Sequence, residues 1–225
     1  VSQDGSAIGS SASAADGRWI GPVRGPGTDQ ARIDESTLPE GVALTAPDAE
    51  RYFDAYCNGI RAIGSQRADT DIFSAPSISV KLSALHPRYE YTQHERVMRE
   101  IVPRLRKLAL LAREHDVALT VDAEEADRLM LSLDVFAAVL RDPELRGWDG
   151  FGLAIQTYLK MAGGVIDLLT GLARETGHRL PVRLVKGAYW DAEIKHAQVE
   201  GFGGYPVFTR KVNTDVSFIA CARRV

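Results

Sequence analysis

Arg183 and Lys186 are cations within and just after a short apolar run, Val182-Arg183-Leu184-Val185-Lys186. The run ends in Gly187-Ala188 and a Tyr189-Trp190-Asp191 cluster. A cation in an otherwise buried strand costs free energy unless an anionic partner meets it. The glycine lets backbone come close to that partner. The stretch therefore reads as a strand whose C-terminal end holds an anionic ligand. Three earlier segments share the design, and each ends on a side chain able to do chemistry: Lys81, Asp122 and Gln156.

Strand side chains alternate faces with period two. In Ser77–Ser83, Ile78, Val80 and Leu82 form one face and Ser79 and Lys81 the other. In Val117–Asp122, Val117, Leu119 and Val121 oppose Ala118, Thr120 and Asp122. In Gly152–Gln156, Leu153 and Ile155 oppose Ala154 and Gln156. In the fourth run Arg183 and Val185 share a face opposite Val182 and Leu184. Large apolar groups on one face and a small, polar face ending in function describe barrel strands with helices outside and chemistry at the top. A plain parallel sheet with incidental polar ends is the blander alternative.

Helical patterns separate these strands. Thr45 with Asp48 is an N-cap pair, and Tyr52, Phe53, Tyr56, Cys57, Ile60 and Ile63 mark one face after it. Thr92-Gln93-His94-Glu95 reads as a capping box opening a second helix. Its stripe is Val97, Ile101, Leu105, Leu108 and Ala112, and Pro103 is expected to kink or restart it. Further patterns cover about 124–142, 160–176, 190–200 and 211–224. Alternation of strand and helix makes the class α/β with parallel strands.

Residues 1–44, rich in Gly, Ser, Ala and Pro, show no periodicity and no convincing strand. They read as a disordered or non-barrel leader, with order beginning at Thr45 and a barrel domain over 45–225. Four strand–helix units are visible, whereas a closed barrel needs eight and about 250 residues. The expectation is a fragment of a longer protein, in which the sheet alone neither closes nor holds a cofactor.

The 225 residues are 45% hydrophobic and 25% charged, with net charge −3. That balance gives no reason to bind nucleic acid. No run approaches the roughly 18 apolar residues of a membrane span. Cys57 and Cys221 lie far apart without metal spacing, as expected of buried thiols in a reducing cytoplasm.

At this point the residues resemble a family. Ser79-Val80-Lys81-Leu82-Ser83-Ala84-Leu85-His86-Pro87-Arg88-Tyr89 is similar to the first lysine motif of bacterial proline dehydrogenases. Asp122 through Leu129, Arg183 through Asp191, and Gly204 through Lys211 resemble the signatures that follow. The resemblance runs from about Leu44 to Val225, and is to the form fused with an aldehyde dehydrogenase domain. It implies a distorted (β/α)8 TIM-like barrel, of which about four units are present here. It also implies FAD, and oxidation of L-proline to Δ1-pyrroline-5-carboxylate. Electrons would pass to a membrane quinone from a cytoplasmic protein peripheral to the inner membrane, and a homo-oligomer is compatible with the family.

Carried over residue by residue, Lys81 binds the proline carboxylate and Tyr189 packs over the substrate ring. Asp122 organises the site, and Arg183 lies near the flavin nitrogen that accepts hydride. Gln156, Arg183, Val185, Lys186, Gly187, Ala188 and Trp190 contact FAD, with Thr209 and Lys211 as further contacts. The segment before Thr45 departs from the family's first-strand motif, and Leu159 and Met161 replace its usual Gln and Arg. Paired arginines that complete the carboxylate clamp would belong to a final helix not present here.

The residues themselves leave alternatives. Lys81 also reads as a snorkelling strand-end lysine, and Asp122 as a cap of the following helix; placed beside each other, Asp122 and Lys81 would each favour the other's charged form. Glu124, Glu125 and Asp127 read as a solvated first turn, or with Asp122 and His86 as a metal site. His86 reads as a turn residue, and Tyr189 and Trp190 as packing aromatics. A Schiff-base lyase using Lys81 or Lys186 and a non-catalytic assembly module are the rival functions.

Overall fold

The computed structural model describes residues 12–13, 19–20, 42–66 and 71–225. Strands β1 (Ala12–Ser13) and β2 (Trp19–Ile20) form a short antiparallel pair. A strand pair thus lies in a leader where the sequence suggested none; residues 1–11, 14–18 and 21–41 of that segment fall outside the described residues. Order also reaches further back than Thr45. Ala43 is 1% exposed, and its N–H donates to Ser83 O at 3.0 Å.

Helix α1 (Ala46–Ser65) begins as its residues predict. Thr45 Oγ1 accepts from Asp48 N–H, and Asp48 Oδ2 accepts from Thr45 N–H, a reciprocal cap. Ile60 and Ile63 of its stripe are buried, and Phe53, Tyr56 and Cys57 pack against the core. Burial raises the Cys57 thiol pKa, as befits a packing cysteine.

Helix α2 (His94–Glu114) corrects two expectations. Thr92 lies inside a 3-10 turn, Tyr91–Gln93, so its hydroxyl donates to Glu90 at 3.5 Å and the N-cap is Gln93 without a side-chain bond. Pro103 neither interrupts nor restarts the helix. It sits on the exposed side, as does Arg99 four residues earlier, so water can satisfy the carbonyl that loses its partner. The opposite stripe (Val97, Ile101, Leu105, Leu108, Ala112) is fully buried.

Four parallel strands form the central sheet: β3 (Ile78–Val80), β4 (Leu119–Val121), β5 (Phe151–Gln156) and β6 (Val182–Val185), paired in chain order. Helices α2, α3 (Leu129–Leu140), α4 (Ala162–Thr176) and α5 (Trp190–Val199) follow them in turn, and α6 (Lys211–Ala222) comes last. The register aligns Val80, Val121, Leu153 and Val182. The first three are buried with the helix stripes in one core, against which Val182 packs; Phe136 of α3 stacks on Phe151 of β5 at 4.6 Å between centroids. These are successive β–α units laid side by side, as in part of a barrel.

Candidate functional site

One residue beyond the Val80–Val182 rung, the pleat turns to the other face. That rung carries Lys81, Asp122, Ala154 and Arg183, with Ala154 directly paired to Arg183. The alanine is the reason the rung works. Its methyl leaves room for the guanidinium to reach across β5. Arg183 Nη2 donates to Asp122 Oδ1, and Nη1 donates to Ser79 Oγ at 3.0 Å. The Asp122 side chain is 6% exposed, so its charge is held inside by this pair rather than by water. Sequence reasoning placed Asp122 beside Lys81 or at a helix cap and did not foresee this link. Arg183 Nε is buried and has no hydrogen-bond partner among the described residues.

Lys81 ends β3 in extended backbone (φ −88°, ψ 129°) and leads into a 3-10 turn, Leu82–Ala84. Its ammonium has no hydrogen bond or ion pair among the described residues. The turn is fixed from the next strand by Glu124, whose Oε1 accepts from Ser83 N–H at 3.0 Å while Oε2 pairs with Arg128 at 3.1 Å. This corrects the expectation of a solvated acidic run. Glu124 is buried and its pKa is raised, burial outweighing the Ser83 hydrogen bonds and the Arg128 charge. Glu125 is partly buried and pairs with Arg128 at 3.1 Å, and Asp127 alone is exposed. His86 is structural, as its turn suggested: Nδ1 accepts from Arg88 N–H and Nε2 meets Glu100 at 2.9 Å.

Gln156, 2% exposed, ties two loops together. Its Nε2 donates to Glu124 O at 2.7 Å and its Oε1 accepts from Ala188 N–H at 2.9 Å. The Lys186–Ala188 turn therefore sits over the end of β5. Gly187 has φ +143°, and a Cβ there would overlap the Tyr158 ring. Tyr158, which sequence reading passed over, organises this corner. Its hydroxyl accepts from Tyr189 N–H at 3.3 Å, its N–H donates to Lys186 O, and its carbonyl accepts from Phe208 N–H. Val185 O accepts from both the N–H and the hydroxyl of Thr157. The only advance signal for Tyr158 was its place two residues beyond Gln156.

The antiparallel bridge Leu159–Val207 brings the second loop in. Trp190 Nε1 donates to Phe208 O at 2.9 Å, and Thr209 is exposed just beyond. Asp215, also unforeseen, bridges Lys186 at 2.6 Å and Lys211 at 2.7 Å, and both cations lower its pKa. The Tyr189 hydroxyl is pushed well above its ordinary range, first by desolvation and then by Glu124 and Glu125.

The structure thus gathers Lys81, Asp122 and Arg183 on one rung, just past the C-terminal ends of β3 and β4, with Gln156 ending β5 two residues further along. Val185 through Trp190, Thr209 and Lys211 follow along one rim. This face offers a carboxylate-held guanidinium and an ammonium unpaired among the described residues, both suited to anionic groups. An orphaned buried donor, a glycine cradle and two rim lysines fit an extended anionic cofactor.

The chain is similar to known proteins. The model of the family described as proline dehydrogenase matches residues 33–225, upstream of the Leu44 at which the sequence motifs begin. The bifunctional protein PutA of Salmonella typhimurium is 55% identical over 183 residues, covering 81% of this chain and 14% of that protein. PutA of Rhizobium meliloti is 53% identical over 175 residues, 78% of this chain and again 14% of the relative. A crystal structure of a mutant of Bradyrhizobium japonicum proline utilization A superposes with a TM-score of 0.80 at 60% identity, covering 82% of this chain and 19% of that one. Proline utilization A from Bdellovibrio bacteriovorus, inactivated by N-propargylglycine, gives 0.75 at 28% identity, over 83% of this chain and 20% of its own. The chain therefore spans a small part of the relatives it matches.

Proposed function

The chain belongs to the proline dehydrogenase family, and from that premise we propose that it oxidises L-proline to Δ1-pyrroline-5-carboxylate with FAD. The observation that carries the proposal is Arg183, which is held across Ala154 by Asp122 and Ser79, with a buried Nε that has no hydrogen-bond partner among the described residues.

Gln156, Arg183, Val185, Lys186, Gly187, Ala188, Trp190, Thr209 and Lys211 are the residues that would hold FAD. Bound flavin supplies the acceptor for the hydride that leaves the carbon beside the proline nitrogen. Arg183 offers a preorganised positive charge where negative charge develops, and Asp122 holds that guanidinium in place. Lys81 anchors the substrate carboxylate with a charged hydrogen bond, fixing which ring carbon is presented. Tyr189 covers the ring and excludes water.

An aldehyde dehydrogenase domain elsewhere in the polypeptide would take the product. A membrane quinone would take the electrons from a cytoplasmic protein. No helix among the described residues is long and apolar enough to cross a membrane. Of the two lysines a Schiff-base lyase could use, Lys186 is already engaged by Asp215 at 2.6 Å.

The test is the full-length protein with Arg183→Met. It should lose at least about tenfold in FAD affinity or in proline-dependent dye reduction, which is about 1.4 kcal/mol. Unchanged flavin content and unchanged proline oxidation would remove Arg183 from the site. A substrate adduct trapped by borohydride would turn the assignment toward the lyase.

A further inference from the structure

The backbone hydrogen bonds of β3 alternate between its two sides. Ile78 N–H donates to Ala118 O and Val80 O accepts from Asp122 N–H, so the even-numbered residues face β4. The odd-numbered residues face outward, where no further strand pairs with β3 among the described residues. A buried N–H on that side needs another acceptor. For Lys81 it is Tyr56 of α1, whose hydroxyl accepts from the Lys81 N–H at 3.2 Å. Two residues on, Ser83 O accepts from Ala43 N–H, just before the same helix. Helix α1 and its lead-in therefore take the place of a strand along the end of β3.

From this geometry we infer that Tyr56 is a positioning residue for Lys81. It fixes the backbone from which the ammonium is aimed at the substrate carboxylate. The inference rests on the reading of Lys81 as the carboxylate anchor. Other backbone groups of the turn are already tied down. Lys81 O accepts from Ala84 N–H, and Ser83 N–H donates to Glu124. The ammonium ends a long flexible side chain, so its reach depends on where its own backbone is set. The Tyr56 ring packs against the core. Its hydroxyl titrates well above the ordinary range, chiefly because it is desolvated and secondarily because Asp122 and Glu124 are near. It therefore stays a neutral hydroxyl, with a lone pair for Lys81 N–H, at any physiological pH.

Tyr56→Phe keeps the ring and removes the acceptor. In the full-length flavoprotein, the KM for proline should rise roughly five- to tenfold, with kcat within about twofold and flavin content unchanged. Binding of cyclopentanecarboxylate, which has the ring and carboxylate but no amine to oxidise, should weaken by the same factor in calorimetry. Lys81→Ala and the double variant complete a cycle. If Tyr56 acts through Lys81, its effect should vanish once Lys81 is alanine. An effect that persists in that background, a normal KM, or loss of flavin and of the folding transition would each overturn the inference. If Lys81→Ala itself leaves the KM and the cyclopentanecarboxylate affinity unchanged, the anchor reading fails and the inference falls with it. That outcome is distinct from Tyr56→Phe alone being silent.

Discussion

Glu124 carries a charge into a place that resists it. Burial raises its pKa, while Ser83 and Arg128 pull it down without cancelling the shift. A carboxyl whose pKa is higher folded than unfolded stabilises the fold most when protonated. That contribution is complete below the ordinary value of 4.5 and fades as pH rises through the folded value. Glu124→Gln keeps an acceptor for Ser83 N–H and abolishes the ionisation. The stability of the natural chain relative to this variant should therefore decline as pH is raised from 4.5 toward neutrality. Urea midpoints across that range give the answer, and parallel curves would mean that Glu124 ionises alike in both states. Lys81, Asp122, Gln156 and Arg183 were legible because period-two alternation exposes a polar group on an otherwise small face. Glu124 was not, because its burial depends on Ser83, which lies 41 residues away in sequence.

Among the elements, the Lys186–Ala188 turn is the most constrained. Gly187 combines φ +143° with close contact to Tyr158, so any side chain there is strained twice. Gly187→Ala should cost roughly 1–3 kcal/mol in chemical denaturation. It should also release flavin, since Ala188 and Tyr189 are hung from Gln156 and Tyr158 by their N–H groups. Full stability and full flavin content would show the turn to be looser than its contacts imply. The glycine itself was readable beforehand; the tyrosine that demands it was not, because the two residues meet only when β5 and β6 pair. Helix α2 teaches the same lesson from the other side. A proline inside a periodic stripe signals a break, yet position 103 faces water and the helix continues.

For the whole molecule, the side chains left uncovered matter most. Val212, Val216 and Ile219 are 52%, 63% and 59% exposed and lie at helical spacing on α6. The other side of that helix buries Thr214 and Cys221. Beside it, β6 has no strand partner on its outer side among the described residues. An apolar stripe next to an open sheet edge favours association. Residues 1–225 expressed alone should self-associate at micromolar concentration, and Val216→Glu should shift sedimentation toward the monomer. A monomeric parent chain would show the stripe to be harmless.

What the sequence by itself determined is the set of elements and the side of each that carries chemistry. Strand alternation, helix stripes and the Thr45 cap depend on neighbours within a few residues, so local physics suffices to read them. Its motifs also carried the family resemblance. The tertiary structure decided who touches whom. Asp122 meets Arg183 because parallel register puts them on one rung with only Ala154 between. Glu124 is buried and Tyr56 reaches Lys81 because separate units pack side by side. Those contacts join residues 25 to 61 positions apart. Their energies depend on burial and distance, and neither exists until the chain has folded.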